Sequence, residues 1–124
     1  MEKIITTHII GGMGNQMFMM SHAIAQSWKH NRTSEFILSD SGYADRHPLK
    51  YKDNIYRNIN FVDSINDSLT KIVETWGETP DISDITESII IEGYFQGTKH
   101  FLGFDTEIRE LFSPTTEFVE RMKI

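Results

Sequence analysis

Short apolar runs separated by turn residues dominate the first half of the chain, and their spacing changes from strand-like to helix-like. Residues 3–10 are rich in β-branched side chains and end at two glycines, which predicts a first strand buried on both faces. In residues 15–30, apolar side chains recur at steps of three or four, which predicts an amphipathic helix. The apolar positions of this helix are Met17, Phe18, Met20, Ile24, Ala25 and Trp28, and the positions expected to face solvent are Gln16, Gln26 and Lys29.

Two further apolar runs predict additional strands. Residues 35–40 have an apolar centre, and a strand, helix, strand unit is almost always a right-handed crossover with parallel strands. Residues 88–92 form the clearest later strand, because three consecutive isoleucines are closed by Gly93. We expect these three strands to be neighbours in one mainly parallel sheet, in a three-layer, Rossmann-like α/β domain.

The remaining segments have weaker patterns. Residues 41–60 predict a long loop or short irregular elements, and residues 61–62 a short third strand. Residues 64–76 predict a helix, because the apolar side chains of this segment have helical spacing. Two acidic helices are predicted at 104–112 and 115–124. The apolar face of the second includes Phe118 and Met122, but no cap or breaker follows it, which is typical of an interrupted sequence.

Composition and charge exclude several classes of function. A formal net charge of -6 argues against a general nucleic-acid binder, which needs a basic surface. The chain has no cysteine, so disulfides and thiolate metal sites are excluded. Its five histidines have no paired spacing diagnostic of a metal site, and no apolar run is long enough to span a membrane. We expect a cytoplasmic protein with one domain, and peripheral association with a membrane stays open.

The segment Gly11-Gly12-Met13-Gly14-Asn15-Gln16 separates the first strand from the first helix. Glycines there let backbone amides approach a ligand, and the helix N-terminus favours negative charge. The segment is not a nucleotide-triphosphatase phosphate loop, since no Gly-Lys-Ser/Thr follows, and Met17 occupies the third glycine's place in the dinucleotide pattern. Spacing alone leaves two alternatives open, a ligand-binding turn and a turn whose glycines serve only the backbone.

A resemblance to a known family separates these alternatives. Residues 11–18, Gly-Gly-Met-Gly-Asn-Gln-Met-Phe, closely resemble the Gly-Gly-Leu-Gly-Asn-Gln-Met-Phe signature of the α-1,2-fucosyltransferases, glycosyltransferase family eleven. Residues 91–101, which contain Gly-Tyr-Phe-Gln followed by Lys-His-Phe, are similar to a second segment of that family. The two matches occur in the expected order, and the resemblance covers essentially the whole chain as the family's N-terminal domain.

The resemblance implies a GT-B-type enzyme with two Rossmann-like domains facing a cleft. Such an enzyme transfers fucose from GDP-fucose to the 2-hydroxyl of a galactoside, with inversion and without a cofactor or an obligatory metal. A nucleotide sugar and a galactoside acceptor are thus the implied ligands. The substrate-binding residues that the resemblance suggests are Gly12, Gly14, Asn15, Gln16, Tyr94 and Gln96. It names no catalytic base, and Asp40, at a predicted strand end, is no more than a candidate.

The family's donor motif, His-x-Arg-x-Gly-Asp-Tyr, is absent from this sequence. His30-Asn31-Arg32 copies only its first part, at the wrong position. We therefore expect residues 1–124 to be the acceptor-side domain of a truncated or split transferase that is inactive alone. The alternative is a stand-alone glycan-binding or partner-binding domain derived from a glycosyltransferase. Self-association, or a companion chain carrying the second domain, is expected to cover apolar surface around Phe118 and Met122 and around a cleft lined by Met13, Met17, Tyr94 and Phe95.

Other readings of the candidate residues compete with substrate binding. Asn15 could be only a helix cap, Tyr94 and Gln96 could pack a tight turn, and Gly12 and Gly14 could chiefly form the turn. His8 and His22 are expected on element surfaces, and the methionines Met13, Met17, Met19 and Met20 in the core and cleft lining. The basic residues of the long loop, Arg46, His47, Lys50, Lys52 and Arg57, are interpreted as a solvated stretch rather than an acceptor groove.

Overall fold

Within the described residues, a parallel sheet of four strands forms the centre of the fold. The computed structural model describes residues 3–38, 42–43, 47–75 and 78–122, and excludes the side chains of Phe118, Arg121 and Met122. The strands are β1 (Ile4–Thr7), β2 (Thr33–Ser34), β3 (Leu69–Val73) and β4 (Ser88–Glu92). Their order across the sheet is β2-β1-β4-β3, and every pairing is parallel. An α/β fold with a parallel sheet, compatible with a Rossmann-like three-layer domain, is therefore confirmed.

β1 lies between β2 and β4 in the sheet, and of these two neighbours only β4 occupies a predicted strand, at 88–92. Ile4 is opposite Thr33 of β2, while Ile5 is opposite Ile89 of β4. The strand predicted at 35–40 is wrong over its described residues, 35–38, where only Phe36 pairs, in a single parallel bridge to Phe61. That bridge is all that forms of the strand predicted at 61–62.

One long helix, α1 (Met13–Lys29), packs against this sheet, close to its predicted bounds. It ends as predicted, since Asn31 adopts a left-handed conformation with φ of 55°. Isoleucines of β1 and β4 meet α1 in the core, where Met19 and Met20 are fully buried and Met13 and Met17 pack at the edge. The methionines therefore line the core as predicted.

Three polar side chains of α1 that were predicted to face solvent are buried. Gln16 and His22 are fully buried and Gln26 is nearly so, whereas Trp28 of the apolar stripe is 41% exposed. A short 3-10 turn at Thr98–Phe101 packs against α1, and the Pro80 carbonyl accepts a hydrogen bond from Gln26. These later segments cover the polar face of α1. The helical spacing of apolar residues therefore identified the face that packs on the sheet, but it did not show that the opposite face is also buried.

The helix predicted at 64–76 is wrong. The structure has β3 at Leu69–Val73, at the edge of the sheet and paired with β4. β-branched Thr70, Ile72 and Val73 fit a strand, and Lys71 pairs its ammonium with the Glu92 carboxylate at 3.1 Å, a charged edge that discourages further pairing. Trp76 lies outside the described residues, and residues 64–68 contain no helix.

The chain ends in two short helices, as predicted, α2 (Asp105–Leu111) and α3 (Thr116–Met122). Ile108 of α2 and the following Phe112 are buried in the main core. Loop residue Tyr56 is also fully buried there, with its ring centroid 5.9 Å from that of Phe112. The long loop after β2 is thus anchored by an aromatic side chain, which its polar composition did not indicate.

Candidate functional site

The turn between β1 and α1 lies at the carboxyl edge of the sheet, where ligands bind in open α/β folds. Gly11 has φ of 82°, a left-handed conformation that favours glycine, and its N–H donates to the Gly42 carbonyl at 2.6 Å. Gly12 precedes the helix with φ of -75°, and Gly14 lies within the first helical turn. The turn-forming role predicted for Gly12 and Gly14 therefore belongs to Gly11.

Gln16 holds this turn from inside the core. Its Nε2 donates to the Gly11 carbonyl oxygen at 2.9 Å, and its Oε1 accepts from the Tyr56 hydroxyl at 3.1 Å. Burial, and secondarily Tyr51, raises the pKa of Tyr56, so the phenol remains a protonated donor. The Gln16 side chain is thus a buried positioning group in this structure rather than a surface contact.

A second turn follows β4 at the same edge of the sheet. Gly93 has φ of 142°, Phe95 has φ of 47° and Gly97 has φ of 105°, so three residues in five have left-handed backbone. Such a conformation is costly for an aromatic residue and persists only where the surroundings enforce it. Here the Phe95 ring is fully buried and stacks on His22 at 4.0 Å, which corrects its predicted position in the cleft. Its neighbours Tyr94 and Gln96 are exposed.

The two turns meet through their side chains. Gln96 Nε2 donates to Asn15 Oδ1 at 2.7 Å, across 81 positions of sequence. A methyl group at Gly11 would stand 3.7 Å from Tyr94 Cε1, so the tyrosine ring also reaches the first turn. Asn15 is the third residue of α1 and no side chain caps the helix, so Asn15 is not a cap. This hydrogen bond involves the amide nitrogen of Gln96 and the amide oxygen of Asn15. The other two polar atoms, Asn15 Nδ2 and Gln96 Oε1, can respectively donate to and accept from a ligand.

Gly12 and Gly14 border open space at this position. A side-chain carbon at either residue would meet no atom within 4 Å, and neither has a left-handed backbone. The chain's own packing therefore does not explain why these positions are glycine. The first turn of α1 contains no acidic residue, and the first amides of a helix have no partner inside it. We call the surface formed by Gly12, Gly14, Asn15, Tyr94 and Gln96 the glycine edge.

An apolar groove begins beside the glycine edge. Gly14, Met17 and Thr98 line it together with Phe101 and Phe112, and its volume is about 380 Å³. Apolar walls next to a few exposed polar groups are typical of small-molecule sites.

Two carboxylate side chains that the sequence pattern did not indicate as candidates lie at the same edge of the sheet. Glu74 directly follows β3, and Glu92 ends β4; together with His8 they line a cavity of about 310 Å³. Glu74 also leaves no room for a side chain at Gly93 in the turn after β4, because a side-chain carbon there would come within 2.4 Å of Glu74 Cβ. The incorrect helix prediction for 64–76 concealed this position. A correct strand assignment would have placed Glu74 at the carboxyl edge.

The other candidate residues have structural surroundings or lie outside the described part. Arg57 donates to the backbone carbonyls of Asn54 and Ser113, and His47 Nδ1 accepts from the Leu49 N–H at 3.2 Å. Arg32 of the partial donor-like triplet donates to the carbonyls of Ile85 and Glu87. Asp40 and Arg46 are not among the described residues.

His8 is exposed as predicted, while His22 is not. Throughout the described ranges, no group of three His, Asp or Glu side chains is arranged to hold a metal ion. In the same parts of the chain, no helix has the length and apolar character needed to cross a bilayer.

The chain was compared with protein-family models, with curated proteins and with solved structures, and no match was found in any of the three comparisons.

Proposed function

We propose that this chain is a fucosyltransferase-like domain that binds a galactoside acceptor at the glycine edge. The observation that carries the proposal is the Asn15–Gln96 hydrogen bond, which joins the two segments that resemble the α-1,2-fucosyltransferases. These segments are far apart in the sequence, and the residues they expose are those expected to contact substrate. Their proximity supports a common binding surface.

The chemistry of the glycine edge suits a sugar hydroxyl. Such a hydroxyl both donates and accepts, and Asn15 Nδ2 and Gln96 Oε1 offer one group of each kind. The exposed Tyr94 ring offers an apolar surface beside them, and the glycines at 12 and 14 leave room for a ligand to approach the backbone. The buried chain from Tyr56 through Gln16 to Gly11 fixes the first turn before a ligand arrives.

The nucleotide-sugar half of the reaction requires groups that this sequence does not contain. No His-x-Arg-x-Gly-Asp-Tyr motif occurs in the 124 residues. We therefore propose the acceptor side of a GT-B-type transferase, with GDP-fucose held by a second domain. Transfer depends on both substrates being held together.

The proposal is tested by titrating the chain with lactose, a galactoside, and measuring affinity by calorimetry or NMR. Asn15→Ala and Gln96→Ala should each weaken binding about fivefold, the effect of losing one ordinary hydrogen bond. Asn66→Ala is the matched control, because it removes an exposed carboxamide from the loop before β3. Lactose binding that is absent, or equally strong in all three variants, would contradict the proposal.

A further inference from the structure

Three aromatic rings join α1 to the segment that follows β4. The Phe95 ring stacks on His22 of α1, with centroids 4.0 Å apart, and meets His100 of the 3-10 turn edge-on at 5.2 Å. The two histidine rings are 5.6 Å apart, and all three side chains are buried. We call His22, Phe95 and His100 the ring cluster. Its contacts hold the segment 93–101, which includes the second turn, against α1.

Two nitrogen atoms of the ring cluster are unsatisfied while the rings are in contact. His22 Nδ1 and His100 Nε2 are buried without a hydrogen-bond partner among the described residues. Because these atoms have almost no accessible surface, water or a proton reaches them only after the rings separate. Opening of segment 93–101 would therefore let water pair two atoms that the closed structure leaves unpaired at a cost.

The backbone of segment 93–101 favours local opening. Gly93, Phe95 and Gly97 all have left-handed backbone, a conformation that is costly for Phe95 and is kept only by the packing of its ring. The Phe95 backbone nitrogen lies 3.5 Å from Glu74 Oε1, which is too long for a strong hydrogen bond. Loss of the ring contacts should therefore release this segment while the sheet and α1 stay folded.

Acid favours the open segment, because the buried rings exclude protons. Burial, and secondarily His100, lowers the pKa of His22 to about 3. Burial and the neighbouring Lys99 lower the pKa of His100, while Glu74 acts on it in the opposite direction. An exposed histidine has a pKa of about 6.5, so below that pH the open segment binds protons that the closed segment excludes. The preference for closure is thus complete above about pH 6.5 and is lost as the pH falls toward 3.

From this geometry we propose that the ring cluster is a pH-sensitive latch that holds segment 93–101 closed at neutral pH and releases it in acid. Release separates Gln96 from Asn15, because Gln96 directly follows Phe95 in the released segment. The hydrogen bond that joins the two turns is then lost, and the glycine edge is dismantled. The latch is a property of the segment itself, so it does not rest on the proposed function.

Amide hydrogen exchange of the full chain, followed by NMR at pH 7 and 5 without any ligand, tests the latch. The amides of Phe95 and of Phe104, which donates to the Phe101 carbonyl at 3.0 Å, report on the segment, and the amide of Ile89 in central strand β4 reports on the whole domain. After correction for intrinsic rates, exchange at Phe95 and Phe104 should exceed that at Ile89 and should rise about 25-fold or more on acidification, the effect of one histidine. It should also be insensitive to low urea, since local opening exposes little surface. Equal rates and equal urea dependence at all three amides, or no rise in acid, overturns the proposal.

A histidine outside the ring cluster provides a matched control. His22→Gln removes the titrating ring, so exchange at Phe95 and Phe104 should be faster at pH 7 and should lose the roughly 25-fold rise that His22 supplies. His8→Gln replaces an exposed histidine and should keep the wild-type pH dependence. An unchanged rise in His22→Gln, or its loss in His8→Gln, contradicts the latch. If His22→Gln does not fold, the wild-type comparison of the three amides still decides.

Discussion

Lowering the pH from 7 to 5 should destabilise this fold through His22. The ring is fully buried, stacks on Phe95 and lies 5.6 Å from the His100 ring, measured between centroids. Burial, and secondarily the proximity of His100, lowers the pKa of His22 to about 3. Because Gln26 donates to His22 Nε2, the neutral ring carries its proton on Nδ1, which has no partner among the described residues.

The direction and magnitude of this change in stability follow from the difference in proton binding between the folded and unfolded chain. An unfolded histidine has a pKa of about 6.5, so below that pH the unfolded chain binds a proton that the folded chain excludes. The contribution of His22 is therefore fully present above pH 6.5 and is lost as the pH falls toward 3. Between pH 7 and 5 the loss is about 2 kcal/mol, a large part of the roughly 5–15 kcal/mol that stabilises a domain. The lowered pKa values of His30 and His100 act in the same direction.

Urea unfolding at pH 7, 6 and 5 measures this effect. His22→Leu lowers the overall stability, because it removes the ring stack and the bond from Gln26, but it should reduce the pH dependence by about 2 kcal/mol. His8→Leu changes an exposed histidine and should keep the wild-type pH dependence. Equal wild-type stability at pH 7 and 5, or an unchanged pH dependence in His22→Leu, would refute the reasoning.

Four further outcomes are expected. Gly93→Ala should lower the free energy of unfolding by about 2 kcal/mol or more, because its left-handed backbone disfavours alanine and the new carbon would stand 2.4 Å from Glu74 Cβ. Tyr56→Phe should cost about 1–2 kcal/mol, because it leaves the buried Gln16 Oε1 without this donor. Gly14→Ala should stabilise the fold by up to about 1 kcal/mol through helix propensity, yet weaken lactose binding. The purified 124-residue chain should transfer no fucose from GDP-fucose to lactose.

The first two have a matched control variant, and the other two have a defined contradicting result. Gly103→Ala also replaces a left-handed glycine but in open space, so it should cost less than Gly93→Ala. Tyr94→Phe removes an exposed hydroxyl and should change stability by less than about 0.5 kcal/mol. Wild-type lactose affinity in Gly14→Ala would show that no ligand approaches that glycine. Robust fucosyl transfer by the chain alone would contradict the incomplete-site argument.

The central fold was predictable because its strands and helix have regular apolar spacing. Residues 3–10 contain two pairs of isoleucines and residues 88–92 contain three consecutive isoleucines, and the structure places β1 and β4 side by side within these segments. β3 was missed because it is an edge strand with Val73 exposed, so its apolar residues lack the alternation of a half-buried strand and happen to fit a helical period.

The glycine edge was only partly predictable, because its residues are brought together by tertiary contacts. The sequence indicated Asn15 and Gln96 separately, and only the folded chain joins them. Gln16 was expected in solvent because local periodicity contains no information about Tyr56, 40 positions away, which bonds to it. The self-association predicted through Phe118 and Met122 involves side chains outside the described part and stays a prediction.

The most direct test of galactoside binding is an amide-resolved NMR titration of the isotope-labelled chain with lactose. If a galactoside binds at the glycine edge, shifts are expected at the backbone amides of Gly12 and Gly14 and at the side-chain amides of Asn15 and Gln96, with little change at Gln26. Shifts confined to other regions, or no shifts at lactose concentrations that saturate weak sugar sites, would contradict it.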